Sequence, residues 1–129
     1  MLRIFAIVIG LALAGSAFAH TDSKWTKGPQ GGHIVDAGGG KQHWELVATG
    51  NELALYVTDA NEKAVNVEGG SAKAQVLLGG KTHNVDLKPA SGNVLKGSGP
   101  FTATKGMRVI VKTNKVGGQS FQARLAPLN

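Results

Sequence analysis

Four histidines and a complete absence of cysteine set the chemistry open to this chain. Without thiols there are no disulfides, thiolate metal centres, iron–sulfur clusters or cysteine nucleophiles. A metal ion would have to be held by imidazole or terminal nitrogen and by carboxylate oxygen. Nitrogen-rich tetragonal sets suit Cu(II), which also heads the affinity order for divalent first-row ions; Zn(II) or another divalent transition metal is the alternative.

His20 has the most to offer because of what precedes it. The chain opens Met1-Leu2-Arg3, runs apolar from Ile4 to Ala14, and continues Gly15-Ser16-Ala17-Phe18-Ala19. A charged start, a short apolar run and an A-x-A ending predict a secretory signal peptide, residues 1–19, cleaved after Ala19. The apolar run is shorter than the roughly 20 residues a membrane span needs, so the mature form is expected to have no transmembrane span. Cleavage would make His20 the N-terminal residue. Its α-amine and ring Nδ1 are then two nitrogen donors that close a chelate ring on one ion. Such groups ordinarily titrate near ~7.7 and ~6.5, so both release protons readily around neutral pH.

His33 and His43 flank Gly38-Gly39-Gly40. If that hairpin pairs its residues symmetrically about Gly38, the two histidines are directly opposed on one face, with Cβ atoms about 5 Å apart. A slip of one residue destroys this arrangement and leaves two separate strand histidines. His20, His33 and His43 are therefore the candidate metal ligands, and Asp22 is a weaker carboxylate candidate. His83 shares a face with Val85 and Leu87 and reads as a core-edge residue. Met107 lies in a stripe with Val109 and Val111, and Trp44 alternates with His43 and Glu45; both read as core. Tyr56 falls opposite the Leu53–Val57 face, as a platform for a partner or a cover on the sheet.

Signals for catalysis are absent. Gly97-Ser98-Gly99 lacks the surroundings of a nucleophile elbow. There is no phosphate-binding glycine motif and no Glu-flanked histidine pair at helical spacing. The eight acidic residues are dispersed and read as solvated surface groups. The expectation is a binding protein rather than an enzyme.

The elements that must position these residues are short strands. Glu52–Thr58, Ser71–Leu78, Lys81–Lys88, Met107–Thr113 and Ser120–Leu125 alternate with period two between Gly-Gly turns, the signature of strands and hairpins. His33–Ala37 and Lys41–Ala48 form another hairpin, and Asn93–Lys96 adds a short strand after a Pro89–Gly92 turn. Nineteen glycines favour tight turns over long helices. The predicted fold is all-β: a small antiparallel β-sandwich or partly closed barrel of seven or eight short strands. It occupies one domain, residues 33–129, behind a flexible arm, residues 20–32, that Trp25 anchors if it docks.

The formal net charge is +6, but the lysines are scattered singly, as expected for solubility and for protecting sheet edges. A nucleic-acid binder clusters its basic residues among aromatics, and aromatics are only 5% of this chain. Export also removes nucleic acid as a partner. Anionic lipid or lipopolysaccharide remains a weak one.

Two resemblances bear on function. The terminal His20 resembles the Cu(II) sites of periplasmic copper-resistance β-sandwich proteins and of lytic polysaccharide monooxygenases, over that one position. Gly28-Pro29-Gln30-Gly31-Gly32 with His33–Gly38, Glu45-Leu46-Val47, Leu53–Val57, Ala74–Leu78 and Asn93–Gly97 resembles the small N-terminal β-domain of periplasmic adaptor subunits of metal-exporting RND pumps. That likeness spans Gly28 to Phe121 and implies a periplasmic β-domain associated with copper, silver, zinc, cobalt or cadmium. Those adaptors continue into lipoyl, α-hairpin and membrane-proximal domains; this sequence ends at Asn129. The likeness assigns no ligands at matching positions. The expectation is a periplasmic metal-binding protein acting as carrier, buffer or accessory in heavy-metal efflux or resistance. Its partners would be the metal ion and a metal-efflux pump component or other envelope protein. The competing reading is a metal-free interaction module that docks on such a complex by a sheet edge or around Tyr56.

Overall fold

Period-two alternation leaves a backbone one economical way to bury its apolar set, with successive side chains on opposite faces of a sheet. Eight segments do so in the computed structural model, which describes residues 26–128. They are β1 (His33–Ala37), β2 (Gln42–Thr49), β3 (Glu52–Asp59), β4 (Ser71–Leu78), β5 (Lys81–Ser91), β6 (Val94–Ser98), β7 (Arg108–Asn114) and β8 (Gln122–Leu125). No helix occurs among the described residues. The expected signal peptide and cleavage point, and with them His20, Asp22 and Trp25, lie outside the described residues.

All neighbouring strands are antiparallel, in the order β1-β2-β3-β6-β5-β4-β7-β8. Strand β5 makes the corner: Lys81–Leu87 pairs with β4, whereas Lys88–Ser91 pairs with β6. The expected Pro89–Gly92 turn is therefore shorter than the sequence suggested, because β5 runs on through Pro89 to Ser91. Proline survives there because it sits past the end of the β4 ladder, beside a register shift between Pro89 and Ser91 where the ladder is already irregular.

The end strands β1 and β8 come together and nearly close a barrel. No ladder joins them. The Ala126 N–H donates to His33 Nδ1 at 2.8 Å, and at the other end Phe121 lies so close over Gly38 that a Cβ there would enter its ring. These two contacts show that β1 and β8 run antiparallel across the seam. The side chain of Gln42, 3% exposed, adds a third clasp. Its Nε2 donates to the Val116 carbonyl at 2.9 Å, while its Oε1 accepts from Trp44 Nε1 at 3.0 Å.

Leu46, Leu53, Leu55, Val76, Leu87 and Val109 fill the interior with fully buried side chains, each worth about 1.5–3 kcal/mol relative to exposure. Trp44 and Met107 are buried with them, and His83 is half-buried at the core edge, as the alternation predicts.

Candidate functional site

The hairpin β1–β2 decides where the histidines go. Gly38, Gly39 and Gly40 all have positive φ, at 61°, 69° and 93°. This run of left-handed residues, which glycine adopts without steric cost, makes a loop from Gly38 to Lys41. Ala37 pairs with Gln42, Asp36 with His43 and His33 with Leu46. The pairing is centred between Gly39 and Gly40, not on Gly38. The expected opposition of His33 and His43 is therefore not formed. The displacement is an odd number of residues, so the two histidines also fall on opposite faces of the sheet.

His33 points inward, is 6% exposed, and commits Nδ1 to the Ala126 amide that helps close the barrel. His43 points outward. Its Nδ1 lies 2.7 Å from Asp36 Oδ1, its cross-strand neighbour. An ionised carboxylate only accepts, so Nδ1–H donates and Nε2 of the neutral ring carries the lone pair. This is the arrangement in which a carboxylate fixes tautomer and ring orientation for a metal-ligating histidine.

Register builds the surroundings. Two cross-strand rows cross the outer face, Asp36–His43–Thr58 and Ile34–Glu45–Tyr56. Residues 26–32, part of the segment expected to be a loose arm, fold back over them. The Ile34 amide donates to the Thr26 carbonyl, and a tight turn spans Gly28 to Gly32. Glu45 holds that turn: its Oε2 accepts from the Gln30 and Gly32 amides at 2.8 and 2.9 Å. Gly28 packs so close that any Cβ would collide with the Glu45 carboxylate. Glu45 is 5% exposed, so the general reading of the acids as solvated groups does not hold for it. Two backbone donors replace the water it gives up.

Between turn and sheet lies a cavity of about 510 Å³. Thr26, His43, Tyr56, Thr58, Glu62 and Asn93 are among its lining residues. Glu62 reaches it from the turn after β3 with φ of 62°. That turn is tied by Asp59, whose Oδ1 accepts from the Asn61 and Lys63 amides. Tyr56 thus faces outward, but as one wall of a cavity rather than a bare platform.

Among the described residues no three His, Asp or Glu side chains are grouped to hold a metal ion. They offer one oriented imidazole beside this cavity, which Thr26 also lines. Asp36 and Glu45 were missed as partners in the sequence. Asp36 becomes visible only once the loop is counted from Gly38 to Lys41. Comparison with protein-family models, with curated proteins and with solved structures found no match.

Proposed function

We propose that the protein is a periplasmic metal-binding protein that carries or buffers Cu(II) at the outer face of β1–β3. The observation that carries this reading is the Asp36–His43 hydrogen bond at a cavity which Thr26 also lines. His43 Nε2 is one nitrogen donor. His20 stands six positions before Thr26, and six extended residues reach roughly 20 Å. As a processed N-terminus it would add its amine and imidazole, giving the nitrogen-rich set that Cu(II) prefers. The likeness of Gly28–Phe121 to the β-domain of metal-pump adaptors supports a role as accessory to heavy-metal efflux. His33 drops out of the ligand set, since it is buried on the face of the sheet opposite His43.

The test is a Cu(II) titration, by calorimetry and EPR, of protein confirmed to begin at His20. Its companions are His43→Ala and a version with one extra residue before His20. One-to-one binding with nitrogen couplings, weakened in both altered forms, is expected. Equal binding in all three would sink the site, and preference for Zn(II) over Cu(II) in competition would replace the metal.

A further inference from the structure

The basic residues that look scattered in sequence are gathered by the fold. On the outer face of β4–β7–β8, cross-strand pairing sets Lys73 beside Lys112, Leu77 beside Arg108, and Ile110 beside Arg124. No carboxylate occupies an outward position on these three strands. Like charges directly opposed across strands are locally unfavourable, and Asp86 of β5, on the far side of Lys73, is the nearest acid in the register.

Leu77, Ile110, Arg108 and Arg124 line a depression of about 330 Å³, and Leu77, at 38% exposure, is the one large hydrophobic residue left exposed among those described. At His33 and Ala126 it adjoins a second depression, of about 460 Å³, bordered by Lys27 and Lys105. Among the described residues no acidic one lines either depression. Arg108 Nη1 lies 3.4 and 3.5 Å from the carbonyls of Gly106 and Met107, which steers its planar fork.

We infer that this face docks an acidic extended segment of a partner protein, one that sets an apolar side chain on Leu77 and Ile110 and flanking carboxylates on Arg124 and Lys112. Charge complementarity selects an acidic partner, and guanidinium forks match carboxylates in a way a point charge does not. The recess selects a protruding side chain over a flat anionic bilayer, whose headgroups would meet the rim cations and leave the apolar floor uncovered. In the strand order β4 and β7 stand across the barrel from β2 and β3, so this surface is independent of the copper reading.

The experiment titrates isotope-labelled secreted protein with a synthetic peptide of sequence Glu-Leu-Glu-Phe-Glu, with its Lys-for-Glu counterpart as control, and follows amide NMR shifts. Shifts confined to β4, β7 and β8, weakening as salt is raised and absent with the lysine peptide, are expected. Arg124→Gln and Leu77→Ser, both surface changes, should each weaken binding about tenfold. Shifts centred on His43 and Tyr56 instead would overturn the assignment. So would binding to phosphatidylglycerol vesicles without binding to the peptide, which would make the partner a membrane. Protein-concentration-dependent shifts of the same residues without peptide would overturn it in favour of self-association.

Discussion

Replacing Glu45 should destabilise the protein in a graded way that its two hydrogen bonds dictate. Both the Gln30 and Gly32 amides donate to the same oxygen, Oε2. Glu45→Gln can still present one oxygen there, so it loses mainly the charge assistance, about 1 kcal/mol. Glu45→Ala removes the acceptor altogether. The Gly32 contact is buried and the Gln30 contact only partly so. The first amide would bear most of an orphaned donor's cost, about 2 kcal/mol, and the second about 1, because water can reach it. The sum, about 3 kcal/mol, corresponds to a fall of roughly 10–25 °C in Tm for a domain of this size. Urea unfolding gives the free energies, and amide hydrogen exchange should accelerate at Gln30 and Gly32 before the rest of the sheet. Gly28→Ala strikes the same carboxylate from the other side. Its cost should therefore shrink on the Glu45→Ala background, a non-additivity that a double-mutant cycle reads directly. An Ala variant within about 0.5 kcal/mol of wild type, or Ala and Gln variants of equal stability, would refute the view that Glu45 pins this turn.

Other perturbations separate clasp from site. His33→Ala should lower stability by about 1–3 kcal/mol, through the orphaned Ala126 amide, and leave copper stoichiometry unchanged in the same calorimetric titration. Asp36→Ala should do the reverse: little change in unfolding, since Asp36 is 68% exposed, but a roughly 10–100-fold loss of copper affinity as the imidazole loses its orienting carboxylate. Gln42→Ala should cost about 1–3 kcal/mol in urea unfolding, because it strands Trp44 Nε1, while the Val116 carbonyl keeps its bond from the Gln119 amide. Lys115 holds φ of 55° in the turn after β7, so Lys115→Gly should raise stability by about 0.5–1 kcal/mol, as relief of left-handed strain outweighs the entropy glycine adds to the unfolded chain.

Alternation made the strands legible. Ser71–Leu78 is strand β4 without change of boundary, and Trp44, Met107 and His83 take the depths their stripes imply. Pairing partners were less legible, because three successive glycines accept several loop lengths and each length sets a different register. A symmetric guess about Gly38 put His33 against His43; the four-residue loop put Asp36 there. Glu45 was hidden for another reason. Its partners are backbone amides of residues 30 and 32, which carry no side-chain signature. The basic face was hidden by period two itself. Lys73, Arg108, Lys112 and Arg124 stand apart along the chain, and only the order β4-β7-β8 makes them neighbours.

The odd register shift gives β1 two separate tasks. Its inward residue His33 closes the sheet on itself, and its outward residue Asp36 orients His43. A sheet edge left bare invites pairing with other chains, and here each end strand covers the other with side-chain clasps in place of a ladder. Such clasps are few: one ring nitrogen, one aromatic over a glycine and one amide. Opening at the β1–β8 seam therefore breaks side-chain clasps and leaves every ladder of the sheet intact. Because β1 keeps its full ladder with β2, the seam can loosen without separating Asp36 from His43. The carboxylate–imidazole pair is thus built across the firm edge of β1, while the weaker edge carries only the clasp.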